Sequence, residues 1–98
     1  MAVKAISEFA IQPGRREEFV RLFESLVAQH FEDMRAAGCH STTVYVVVDD
    51  PDKAVEISDW DSVEARERMQ QSEAMSAFAP LFELVAAPPN ATLAEQLR

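Results

Sequence analysis

Thr43 to Val48 reads Thr-Val-Tyr-Val-Val-Val, a run that is apolar or β-branched at every position. A strand with one wetted face alternates apolar and polar residues, so a run without that alternation needs cover on both faces. The chain offers two helical segments of useful length within its 98 residues, which is enough to cover one face of a small sheet. The other face is expected to meet a second copy of the chain, so the first expectation is a homodimer.

Composition narrows the class further. With 48% apolar residues in 98, the chain reads as one domain, 1–98, whose core is real but modest and gains from oligomerisation. Nine Lys and Arg face seventeen Asp and Glu, for a formal charge of −8. A chain this acidic repels phosphate backbones and anionic headgroups, so neither nucleic acid nor a membrane is expected as a partner. Cys39 is the single cysteine, which precludes an internal disulfide, and no Cys and His spacing of a zinc site surrounds it. It reads as a half-buried free thiol. The opening Met1 to Glu8 alternates and carries an acid, unlike the unbroken apolar core of a signal peptide. No stretch approaches the ~20 apolar residues of a membrane span, and a cytoplasmic location is expected.

Periodicity sets out the elements. Val3 to Ile11 places Val3, Ala5, Ser7, Phe9 and Ile11 on one face of a strand, and Pro13-Gly14 stops it. From Arg15 to about Ala37, the residues Phe19, Leu22, Phe23, Leu26, Val27 and Met34 share a broad helical stripe, which Gly38 ends as a left-handed cap. The buried strand runs from about His40 to Val48, turns at Asp49 to Asp52, and returns as Lys53 to Trp60. Asp61 or Ser62 caps a helix through about Gln71, with Asp61 and Glu64 resembling a capping box. Ser72 to Phe78 reads as a short helical piece halted by Pro80, Leu81 to Ala86 as the last strand, and Leu93 to Leu97 as one or two helical turns after Pro88-Pro89. This order is the α+β, ferredoxin-like split βαββαβ arrangement, a four-stranded antiparallel sheet with both helices on one face. The core spans about 3–87, and the tail 88–98 is expected to contact the partner subunit.

Four local features resemble the antibiotic-biosynthesis monooxygenase family of dimeric α+β barrel proteins. They are Pro13-Gly14, Gly38-Cys39, Asp50-Pro51, and Trp60-Asp61-Ser62-Val63-Glu64-Ala65 with Ser72 beyond. The resemblance covers about residues 3–87. It implies a cavity between the long helix and the sheet, and activities such as cofactor-independent oxidation of phenols and quinols, or haem degradation. Two departures bear on activity. Met69 stands where many members carry a His, and Glu73 to Pro80 holds no His, so the axial ligand of the haem-degrading branch is missing and haem degradation is disfavoured. Trp60 is kept, and Ser7 falls where that branch carries a polar amide facing the cavity.

In the helical projection His30 lies near the centre of the apolar stripe, in line with Phe23, Leu26 and Ala37. A buried imidazole without a partner costs roughly 1–3 kcal/mol, so it either bonds across the core or borders a cavity. It is the candidate proton acceptor, and His30→Ala is expected to abolish turnover. Ser7, Phe9, Tyr45 and Trp60, joined by Met69, Phe78 and Phe82, are the candidate lining of an aromatic-walled, substrate-binding hole. His40 reads as a solvated or interface residue, with Glu56 and Asp59 able to pair with it across the hairpin. No metal is assigned, and without a Gly-rich phosphate loop no cofactor is expected. The function these residues suggest is cofactor-independent oxidation of a small aromatic, phenol, quinol or polyketide-like compound. A non-catalytic binding dimer and a cofactor-free isomerase or cyclase are the alternatives.

Overall fold

The computed structural model of the chain describes residues 2–97; Met1 and Arg98, the ends of the expected domain, lie outside the described residues. The elements in order are β1 (Val3–Ala10), α1 (Arg16–Ala36), β2 (Cys39–Val46), β3 (Lys53–Trp60), α2 (Val63–Gln70), a 3-10 segment (Glu73–Phe78), α3 (Ala79–Phe82) and β4 (Asn90–Glu95). The strands form one sheet in the order β2-β3-β1-β4, antiparallel throughout, which is the ferredoxin-like order.

Register decides which side chains share a face. Val3, Ala5, Ser7 and Phe9 of β1 lie opposite Trp60, Ser58, Glu56 and Ala54 of β3, and across β3 lie Thr42, Val44 and Val46 of β2. These residues form the inner face, against which α1 packs. The ring of Phe9 sits 5.1 Å from that of Phe19, and Phe23 follows at 6.2 Å. Phe19, Phe23, Leu26 and Met34 are the buried residues of α1, spaced as a helical stripe requires.

Two glycines make the connections. Gly14, at φ +79°, donates its N–H to Asp52 Oδ1 at 3.1 Å, which ties the first turn to the hairpin. Gly38, at φ +104°, is crowded as well as left-handed, since a Cβ there would lie 3.0 Å from Ala65 Cβ. Arg16 also reaches the hairpin, donating to the carbonyls of Val47 at 3.0 Å and Asp50 at 2.7 Å. A cation at the start of a helix, where the dipole disfavours it, is thus held by backbone oxygens.

Several expectations change here. The helix after β3 is capped by Ser62, whose hydroxyl accepts from the Ala65 N–H at 3.0 Å, so the Asp61 and Glu64 capping box does not form. Pro80 does not halt a helix but sits in the first turn of α3, where its missing N–H costs nothing. The last strand is Asn90–Glu95 rather than Leu81 to Ala86, and the tail is extended rather than helical. The reason lies in the two prolines. The edge begins early, with Ile11 bridged to Val85 and the Ala86 N–H donating to Ala10 O at 2.7 Å. Pro88 and Pro89 then have no N–H to give to the ladder, and pairing resumes only at Asn90, opposite Glu8.

Candidate active site

A cavity of about 250 Å³ lies between α1, the inner face of the sheet and the segment from α2 to β4. Its walls are mostly apolar, with Arg66 and Gln70 of α2 the polar residues among them. Phe23, Val27 and Met34 come from α1, Met69 from α2, and Met75 and Phe78 from the 3-10 segment. Its floor, on the sheet, is polar: Ser7, Thr42, Glu56 and Ser58 lie on adjoining positions of β1, β2 and β3, with Trp60 beside them.

The floor is internally bonded. The indole N–H of Trp60 donates to Ser58 Oγ at 2.8 Å, and the Thr42 hydroxyl donates to Glu56 Oε2 at 2.6 Å. Trp60 is 5% exposed, so this bond fixes the orientation of a ring that would otherwise bury an unmet donor. The Glu56 carboxyl is pushed above the ordinary glutamate range, chiefly because burial strips water from its charged form. The Thr42 and Ser58 hydroxyls, the positive charge of Arg66 and the Ser7 hydroxyl pull it the other way. A carboxyl tuned upward in an apolar cleft is the pattern of a group that exchanges a proton.

Of the residues expected to line a cavity, Ser7, Phe9, Trp60, Met69, Phe78 and Phe82 are brought together here. Tyr45 is not. It lies opposite Val55 on the outer face of the sheet and is 52% exposed. The unbroken apolar run gives no parity from which to tell its face, and the hairpin register points Val44 and Val46 inward instead. His30 is not among the lining residues either. Its half-buried ring packs 6.0 Å from that of Phe78, which is itself a lining residue. The expectation that His30 borders the cavity is corrected accordingly.

Glu56 changes role in the other direction. Sequence reasoning set it beside His40 and Asp59, but the three do not converge. His40 Nε2 meets Asp61, while Asp59, on the outer face, takes Lys4 at 2.7 Å and the Ser41 hydroxyl at 2.6 Å. The Lys4 hydrogen bond is the main reason that the Asp59 carboxyl lies below its usual range. A signal for Glu56 was present in the sequence: once Trp60 faces inward, the period of two puts Ser58 and Glu56 on the same face. Among the described residues no group of three or more His, Cys, Asp or Glu is placed to hold a metal. Cys39 is buried, and burial chiefly, with the negative charge of Glu56 next, raises its thiol to about 11, which leaves it a packed, unreactive group.

The profile of the antibiotic biosynthesis monooxygenase family matches residues 2–81. The chain belongs to this family. No curated protein matches its sequence. Among solved structures the chain is similar to a candidate antibiotic biosynthesis monooxygenase from Bordetella bronchiseptica, with 24% identity over 99% of this chain and 98% of that one and a TM-score of 0.81. A candidate member from Caulobacter crescentus superposes with a TM-score of 0.83 at 15% identity, covering 99% of this chain and 91% of the other. Rv0793 from Mycobacterium tuberculosis gives 0.77 at 23% identity, with 100% and 97% covered. At these identities the likeness is one of fold. Among the described residues of this family member, no helix is long and apolar enough to cross a membrane.

Proposed function

We propose that the chain is a homodimeric, cofactor-independent monooxygenase acting on a small planar aromatic that carries a hydroxyl group. The observation that supports this most is the division of the cavity into apolar walls and one polar floor holding a carboxyl. Flat apolar walls suit a ring, and a polar patch on one side fixes which edge of the ring enters first. The formal charge of −8 disfavours an anionic compound on approach, so the substrate is neutral when it arrives.

Such a compound can reduce dioxygen without help. Loss of the hydroxyl proton leaves an electron-rich ring. The carbon para to the hydroxyl gains one oxygen atom of O2 and loses its hydrogen, the second oxygen leaves as water, and the product is a quinone. The substrate supplies all of the electrons, so no flavin or metal is needed for the balance. The chain's part is to hold the ring, exclude bulk water and accept the proton. Oxygen uptake by metal-stripped protein, followed with a panel of phenols and quinols, tests this. Uptake with at least one ring class, well above the rate without protein, is the expected result, and none with any of them contradicts the reading.

Met69, 2% exposed in the wall where many family members carry a His, favours a second reading in which the cavity binds without oxidising or isomerises its ligand. Product formation in the absence of oxygen marks an isomerase or cyclase, and binding without product marks a carrier.

The dimer is supported by the outer face of the sheet. Thr43, Ile57, Ile6 and Thr92 form one row across it, with Tyr45 and Val55 in the next. Among the described residues no helix covers that face, and Tyr45 is 52% exposed. A second sheet packed on this row covers Thr43 and Tyr45, the outward-facing members of the run within β2. Leu93, 40% exposed, and Leu97, 96% exposed, add apolar surface to a tail proposed to reach the partner.

A further inference from the structure

We infer that Glu56 is the residue that receives the hydroxyl proton of the bound ring, and that the cavity selects free hydroxyaromatics over the same rings with the hydroxyl methylated. The inference rests on the reading of the cavity as an aromatic site and adds to it the group that does the chemistry.

Glu56 occupies the middle of β3 on the inner face, with Ser7 opposite on β1 and Val44 opposite on β2, so its carboxyl stands on the cavity floor rather than at its rim. A carboxylate offers about four acceptor positions. The Thr42 hydroxyl takes one at 2.6 Å, with the Ser58 and Ser7 hydroxyls close enough to favour the charged form. The Phe and Met side chains of the walls donate nothing, and the donors beside them are Arg66 and Gln70 of α2. A ring entering between the walls with its hydroxyl toward the sheet brings one further donor to this carboxylate.

Charge points the same way. Among the described lining residues, Glu56 is the one carboxylate and Arg66, on α2, the one cation. Neither β1 nor α1 nor the 3-10 segment adds a charged side chain to the lining. Cys39 of β2, the other titratable group coupled to Glu56, keeps its proton at neutral pH. The step balances: the substrate O–H bond breaks, an O–H bond forms on Glu56, and the electron pair stays on the substrate oxygen. The negative charge moves from carboxylate to ring with Arg66 still within its field. No oxidant enters until the ring has become the anion.

Equilibrium dialysis with 2-naphthol and 2-methoxynaphthalene tests this in the intact protein. Wild type is expected to bind naphthol about tenfold or more tightly than its methyl ether, as a hydrogen bond to a charged acceptor implies. In Glu56→Gln the preference falls to about threefold or less while the ether binds as before, showing that fold and walls persist. Equal binding of both compounds by wild type, or an unchanged preference in Glu56→Gln, overturns the assignment while leaving the aromatic site standing. Binding of neither compound removes both. Thr42→Val keeps the carboxyl but loses its nearest donor. Because that bond favours the ionised form, its loss shifts the pH at which the preference develops upward. An unmoved midpoint with the preference intact assigns the proton to another group and overturns the proposal.

Discussion

Glu56 takes, in the proposed assignment, the proton-accepting role that the helical stripe suggests for His30, and both residues are testable singly. The Glu56 carboxyl lies above its ordinary range in the folded chain, so the folded state binds that proton more tightly than the unfolded state does. Stability attached to it is therefore present at acid pH and lost as pH rises from the ordinary glutamate range through the raised one. Glu56→Gln should then melt higher than wild type at neutral pH and level with it in acid, as thermal denaturation at both pH values can check. With an accepted quinol, Glu56→Gln should lower turnover at least about tenfold, the usual scale for a lost proton acceptor, while His30→Ala, which loosens packing on Phe78, should stay within about threefold. The helical stripe in the sequence showed that His30 faces inward, but not that the segment around Phe78 packs against it. That segment comes from far along the chain, and local periodicity carries no information about it.

At the scale of elements, the strands and helices with a clean period were legible, and those punctuated by proline were not. β1 and β3 alternate, α1 carries an unambiguous stripe, and all three lie within a residue or so of where the pattern put them. Pro80 and Pro88-Pro89 misled for one reason: a proline breaks an element only where its N–H is needed. Pro80 falls in a first helical turn, where it is not needed, and the paired prolines interrupt an edge strand that resumes after them. Gly38 was read as a cap from its type alone, and a second constraint on it is tertiary, the contact with Ala65 on α2. Gly38→Ala should cost roughly 1–3 kcal/mol from its left-handed backbone, with crowding against Ala65 adding to it, and denaturant unfolding measures this directly. Gly14→Ala should cost less, since a Cβ there meets nothing within 4 Å.

The whole molecule is a sheet whose two faces have different work. The inner face, under α1, carries the polar floor of the cavity, and the outer face carries the apolar row through Ile57 and Ile6. The all-apolar run in β2 pointed to cover on both sides but could not say which residues face which way, and so it put Tyr45 in the cavity when the register puts it on the outer face. By sedimentation the wild-type chain, 11.0 kDa as a single copy, should run at twice that mass, and Ile57→Lys should shift it to the single chain at micromolar concentration. The claim on which the function rests is that ring and dioxygen react in the cavity without a cofactor, and the isotope in the product tests it most directly. Metal-stripped protein turning over a phenol with a free para position under heavy-isotope dioxygen should place one labelled oxygen on the product ring. A product that carries only oxygen from water, or that forms equally well without dioxygen, contradicts it.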